Sequence, residues 1–344
     1  MTSRVPSVTF RYSHTIGRIE FTGSGFDNPV AMALGNEDRI YVVNRSSEDR
    51  NAQRVTICTV GEDYIGEFAR GPARGAASKA PPLDGSLVWP TSIALDSECN
   101  VYVADEWLNR IAIFTRDGEW IGAWGIHGNR DGQIYQPSGI AFDPQYDLYV
   151  VDSGNNRIQK FTKDGKFLTK WGRQGSGDGE FNLPWGIDID QQANVYVADW
   201  HNDRIQKFSP DGRFLMKFGS SGKADGEFHC PTDIAVDNDG IIYVADWGND
   251  RLQAFDSDGT FIARMTGDAT ISRWAKQKLD SNPDMWQQRD VAHGMEMEKP
   301  FWGPVAVEVD GQGHIYVADS MRQRIQVYRK LAPIFLGLYD NARL

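Results

Sequence analysis

Cysteine is scarce in this chain, basic residues are outnumbered, and long apolar runs are missing. Three cysteines in 344 residues, Cys58, Cys99 and Cys230, are too few and too odd in number for a disulfide framework. They suit a reducing compartment, so a cytoplasmic location is expected. Lys and Arg number 36 against 47 Asp and Glu, for a net charge of −11. That balance speaks against a nucleic-acid partner, because phosphate binding needs clustered positive charge. No stretch approaches the roughly 18 apolar residues of a membrane span, and Met1 to Arg11 has no apolar run of signal-peptide length. Helical periodicity is nearly absent outside one insertion.

What the chain does have is a repeat. Taking Pro29, Pro90, Pro137, Pro184, Pro231 and Pro304 as origins, a tyrosine stands twelve residues later each time, at Tyr41, Tyr102, Tyr149, Tyr196, Tyr243 and Tyr316. An acid or amide follows three residues on, as Asn44, Asp105, Asp152, Asp199, Asp246 and Asp319. The three central spacings are each 47 residues, which fits four short strands with tight turns. In the unit from Pro184, the segments 187–189, 195–198, 204–208 and 213–218 are rich in β-branched and aromatic residues and are separated by Asp, Asn, Gly and Pro clusters, and they read as strands A to D. Segment 7–16 ends at the offset from Pro29 at which strand D ends elsewhere, so it is expected to close the last blade as its outer strand. The expectation is an all-β protein: one six-bladed β-propeller over 1–344, with four-stranded antiparallel blades and one partly helical insertion. A weaker strand candidate lies around Ile334 to Leu336.

The motif Pro-x-Gly-Ile-Ala-x-Asp, then Tyr-Val-Ala-Asp, then Asn-Arg-Ile-Gln-x-Phe resembles the NHL-repeat family, best in Pro137 to Asp143 and Asn156 to Phe161. The likeness covers nearly the whole chain. It implies a propeller fold and a spread of functions: protein-binding and RNA-binding modules, a lyase of hydroxyglycine peptides, and relatives with lactonase or hydrolase activity. The histidine-bearing motif of that lyase after strand B is not reproduced in several blades here.

Residues present in every blade read as scaffold, among them the Asp of Tyr-Val-Ala-Asp, expected to bond donors in the turn between strands B and C, and Arg110, Arg157, Arg204, Arg251 and Arg324. Departures point to function. Pro29 to Pro90 is 61 residues and Pro231 to Pro304 is 73. The excess lies near 46–53, in a D–A insertion at 69–89 whose Gly71 to Pro82 reads as a mobile loop, and in an insertion at 266–303. All belong to B–C or D–A loops, which emerge on one face of an antiparallel propeller. The largest insertion predicts a helix over 271–279, ended by Asp280 to Pro283, with a second turn from Met285, and reads as a cap over the channel mouth. Trp89, Trp107, Trp185, Trp200, Trp247, Trp274, Trp286 and Trp302 fall on that same face or in the insertion, as do His127, His201, His229 and His293.

Within strand A the fourth residue after the proline is Ala33, Ala94, Ala141, Asp188, Ala235 or Glu308, and alternation turns it to the axis. The second residue adds Asp233. Three acids from neighbouring blades converging on one sector need a shared proton or a divalent cation. Ca²⁺ or Mg²⁺ suits oxygen ligands, and Zn²⁺ or Mn²⁺ fits if His201 or His229 joins. The expected site therefore has Asp188, Asp233 and Glu308 as acid–base groups or metal ligands, with His229 and His201 assisting. Trp89, Trp185, Trp302, Trp200, Trp247 and Tyr135 would shape a substrate pocket. The function expected is hydrolase or lyase chemistry on a small molecule. The alternative is a non-enzymatic module binding a protein or peptide at the same face.

Overall fold

The repeat units fold as meanders because their strands are short, most of them five or six residues, and in five of the six blades the turn between the first two strands carries an acid that bonds its own backbone. In the A–B turns, Asp190 Oδ1 accepts from the backbone N–H of Gln192 and Asn194 at 3.0 and 2.8 Å, and Asp96, Asp143, Asp237 and Asp310 do the same. The computed structural model describes residues 8–46, 52–71, 84–292 and 294–331. It has six four-stranded antiparallel sheets, and their inner strands neighbour one another in a closed ring. Those inner strands are Pro29–Leu34, Pro90–Leu95, Pro137–Phe142, Ile187–Ile189, Pro231–Val236 and Pro304–Val309. The predicted 334–336 strand, most of the 71–82 loop, residues 47–51 and His293 lie outside the described residues.

The N-terminal strand Thr9–Ile16 pairs antiparallel with Arg324–Leu331, from Thr9 opposite Leu331 to Ile16 opposite Ile325, so the last blade is built from both ends of the chain. Six apolar clusters fill the spaces between blades, each combining residues of adjacent repeats.

The recurring Asp, Arg and a following Gln form a buried lattice. Asp199, fully buried, accepts from Arg204 Nε at 2.8 Å and from the Asn182 N–H at 2.8 Å, while Arg204 donates to the carbonyls of Ser176, Gly177 and Glu180. Blades 3, 5 and 6 repeat the Asp–Arg pair. The backbone donors to these Asp residues come from the D–A loop ahead of strand A, as Tyr135, Asn182, His229 and Trp302, while the B–C turn expected from the sequence contributes side chains instead, Asn155, Asn202 and Asn249. A second stitch joins blades: the left-handed residue before strand C accepts from the N–H preceding the next blade's proline, as Asn156 does from Leu183 at 2.7 Å.

The insertion contains helix α1 (Arg273–Asp280), capped by Ser272, and helix α2 (Pro283–Val291), which starts on its proline. None of its residues lines the axial chamber or the tryptophan-lined pocket. Trp274 is buried against Phe26 and its indole N–H donates to the Glu62 carbonyl at 2.6 Å, while Arg273 pairs with Asp63. Trp124 of strand D makes the equivalent bond to the Lys163 carbonyl in the C–D turn of the next blade. Ile16 stands at that place in the closing strand, so the insertion supplies the missing ring and braces the rim between blades 6 and 1.

Candidate functional site

All six inner strands border the channel. A chamber of about 280 Å³ is lined from the second to the fifth residue after the proline, including Ala33, Ala94, Ala141, Leu34, Leu95, Phe142 and Val309. Asp188, Asp233 and Glu308 all line it. Ile93, Ile140, Ile187 and Ile234 also border it, but all four are buried in the apolar clusters between blades, so the third position turns from the axis.

Two of the three acids also serve the scaffold. Asp188 Oδ2 accepts from the Val236 N–H of the next blade at 2.7 Å, and Asp233 Oδ2 from the Val307 N–H at 3.0 Å. Ser92 holds Ile140 in the same way at 3.2 Å. These bonds occupy inner-strand donors that would otherwise face the channel. Desolvation deep in the ring raises the Asp188 carboxyl to about 7 and the Asp233 carboxyl to about 8. Glu308 is raised well above the ordinary range, first by burial and then by repulsion from Asp188 and Asp233. Each acid keeps some surface open to the chamber. Among the described residues, one trio of His, Cys, Asp and Glu ligand atoms lies mutually within 4.8 Å, and it is Asp203, His229 and Cys230 rather than the three chamber acids.

The aromatic residues build a different pocket, at the opposite end of the same channel. About 290 Å³ in volume, it is lined by the first residues after the proline (Val30, Thr91, Trp185, Thr232, Val305) and by Arg45, Trp200, Trp247, Asn28, Ser320 and Met321. Trp185 and Trp200 lie 5.6 Å apart. Trp89 and Tyr135 line a neighbouring surface pocket of about 500 Å³ with Glu106, Trp107, Asn109 and Gln136. Trp302 is half exposed under the Arg322 guanidinium. His201 stacks on Trp200 at 4.1 Å and His229 is exposed at the rim. Neither histidine is among the residues lining the acid chamber.

Arg45 was missed by sequence reasoning, and it is the charged centre of the mouth. Its guanidinium lies 4.9 Å from the Trp89 ring and 5.8 Å from the Trp185 ring, and its Nε donates to the Pro90 carbonyl at 3.1 Å. Nη2 stands 3.6 Å from Glu106, beyond hydrogen-bond range, and has no hydrogen-bond partner. Burial lowers the Arg45 pKa to about 10, so the group is still cationic at neutral pH, and burial raises the Glu106 carboxyl. The signal lay sixteen residues after each proline, where Arg45, Glu106, Ser153, Trp200, Trp247 and Ser320 stand at a single register.

Fold and site define a six-bladed propeller with a ligand-sized, tryptophan-walled axial mouth. A family described as a six-bladed beta-propeller matches residues 130–208 and 191–313, more than half of the chain, and the NHL repeat matches residues 301–328. The chain belongs to the NHL-repeat six-bladed β-propellers. NHL repeat-containing protein 3 of Homo sapiens is 31% identical over 105 residues, 29% of this chain and 26% of that protein, and the Mus musculus protein is 29% identical over the same shares. The chain thus spans about a quarter of the length of these curated relatives. Among solved structures, virginiamycin B lyase from Staphylococcus aureus with quinupristin has a TM-score of 0.58 at 13% identity, covering 94% of this chain and 100% of that one. A protein of unknown function from Bacteroides thetaiotaomicron has 0.63 at 18%, covering 94% and 76%. At these identities the likeness establishes the fold alone. No described helix is long and apolar enough to cross a membrane.

Proposed function

We propose that this propeller binds a small organic molecule with an apolar or aromatic body and a carboxylate, seated at the channel mouth. The observation that carries this reading is Arg45: a desolvated guanidinium between Trp89 and Trp185, with Nη2 unbonded, beside a pocket of three tryptophans. A carboxylate there gains a charge-assisted hydrogen bond in a site that excludes water, and the indoles take the body of the ligand. The test is titration with small aromatic carboxylates and their neutral amides, followed by tryptophan fluorescence. Carboxylates binding at least tenfold tighter than amides, with the preference lost in Arg45→Ala, is the expected result. Equal binding of both, or of neither, overturns the reading.

The acid chamber favours a second reading, in which a small molecule that enters the chamber itself, apart from the mouth, undergoes hydrolysis or elimination there. Asp188 and Asp233 titrate near neutrality, the range in which a carboxyl both gives and takes a proton at useful rates. A divalent cation, Ca²⁺, Mg²⁺ or Zn²⁺, would compete with those protons for the same oxygens. Turnover abolished by Asp188→Asn and Glu308→Gln supports the chemistry, and turnover unchanged in both removes these acids from it. A peptide bound at the mouth without turnover would instead mark an interaction module. The free thiols of Cys58, Cys99 and Cys230 suit the cytoplasm, and the acidic charge suits small-molecule rather than nucleic-acid partners.

A further inference from the structure

The stitch that joins blades brings three residues together at each junction: the left-handed residue before strand C, and the two residues before the next proline. Four of these junctions hold Asn109, Tyr135 and Gln136; Asn156, Asn182 and Leu183; Asp250, Trp302 and Gly303; and Gln323, Asp27 and Asn28. At the junction of blades 4 and 5 the same frame holds Asp203, His229 and Cys230. A carboxylate oxygen, an imidazole nitrogen and a thiol there lie mutually within 4.8 Å. We infer that Asp203, His229 and Cys230 form a site for a zinc-class transition-metal ion, separate from the acid chamber and from the aromatic mouth.

The backbone at this place is fixed before any ion arrives. Asp203 Oδ1 accepts from the Cys230 N–H at 2.7 Å, which leaves Oδ2 for an ion. The His229 N–H donates to Asp246 Oδ1 at 2.8 Å, and its carbonyl accepts from the Gly248 N–H at 2.9 Å. A side chain at Gly248 would meet the His229 ring, since a Cβ there would lie 2.3 Å from Cδ2. Tetrahedral zinc with bonds of about 2.0–2.3 Å sets its ligands roughly 3–4 Å apart, so rotation about side-chain bonds closes the cluster without moving the main chain. Mixed oxygen, nitrogen and sulfur donors suit Zn²⁺ over Ca²⁺ or Mg²⁺. With three protein ligands, water takes the fourth position. On binding, the Cys230 S–H bond breaks, its proton passes to solvent and the sulfur bonds the metal, with no change in oxidation state. The exposed His229 ring gives the ion access.

The test uses the full chain, stripped with chelator and titrated with Co²⁺, whose visible bands report tetrahedral geometry and whose near-ultraviolet charge-transfer band reports a thiolate ligand. One equivalent with both features is expected. Cys230→Ser should remove the charge-transfer band, and His229→Ala should weaken binding at least tenfold. A Cys58→Ser/Cys99→Ser double variant and Asp188→Asn should leave the spectrum unchanged. Absence of binding by the folded wild type, or a spectrum that survives Cys230→Ser or disappears with Asp188→Asn, would overturn the inference. Carboxylate binding at the mouth is read separately through Arg45, so the two assignments fail independently.

Discussion

The two ends of one channel have opposite chemistry. At the mouth, Arg45 is ionised between indoles. In the chamber, burial, joined at Asp233 and Glu308 by repulsion from neighbouring acids, outweighs the N–H bonds from Val236 and Val307 and raises the carboxyls into the neutral range or above it. The same ring thus carries a recognition end, lined by first-position residues such as Thr91 and Thr232, and a titrating end, lined by residues further along the inner strands.

That contrast can be broken from below or sharpened at either end. The largest effect is expected from Arg204→Ala, which leaves Asp199 buried with its charge unpaired and should cost about 3–5 kcal/mol in urea unfolding. A loss under 1 kcal/mol would show that the lattice does not hold the mouth in place. Trp274→Ala should cost about 3 kcal/mol by emptying the space beside Phe26, without altering ligand affinity. A change in affinity would restore a capping role to the insertion.

The chamber makes a pH prediction. The folded state keeps the Asp233 proton up to about pH 8, while an unfolded Asp loses it near 3.9. Stability is therefore greatest below that lower value and is lost as pH rises towards 8. Asp233→Asn should flatten the curve by several kcal/mol, at about 1.4 kcal/mol per pKa unit, since Asn can still accept from Val307 but cannot ionise. An unchanged curve by thermal unfolding would place the titration elsewhere. The smallest effect is expected from Arg45→Lys, which keeps the charge and loses the planar fork: about tenfold weaker carboxylate binding by fluorescence.

The blades were fully legible in the sequence because Pro and Tyr recur at one spacing, and the acids were legible as departures from a run of alanines. Joining acids and tryptophans into one site was the error. Trp185 and Asp188 are only three residues apart in sequence, yet a strand advances about 3.3 Å per residue, so roughly 10 Å of axis separates them and they open into different pockets. Arg45 escaped notice because its register was compared along strand A and not along the B–C loops. The role of Trp274 was hidden because its partner, the Glu62 carbonyl, is 212 residues away.

Pairing Thr9–Ile16 with Arg324–Leu331 has a consequence for biogenesis. During synthesis the first strand leaves the ribosome more than 300 residues before its mate, so it must wait unpaired while five blades assemble behind it. Closure then comes late, and a chain shortened past that first strand would expose the bare edge of Arg324–Leu331 to other chains.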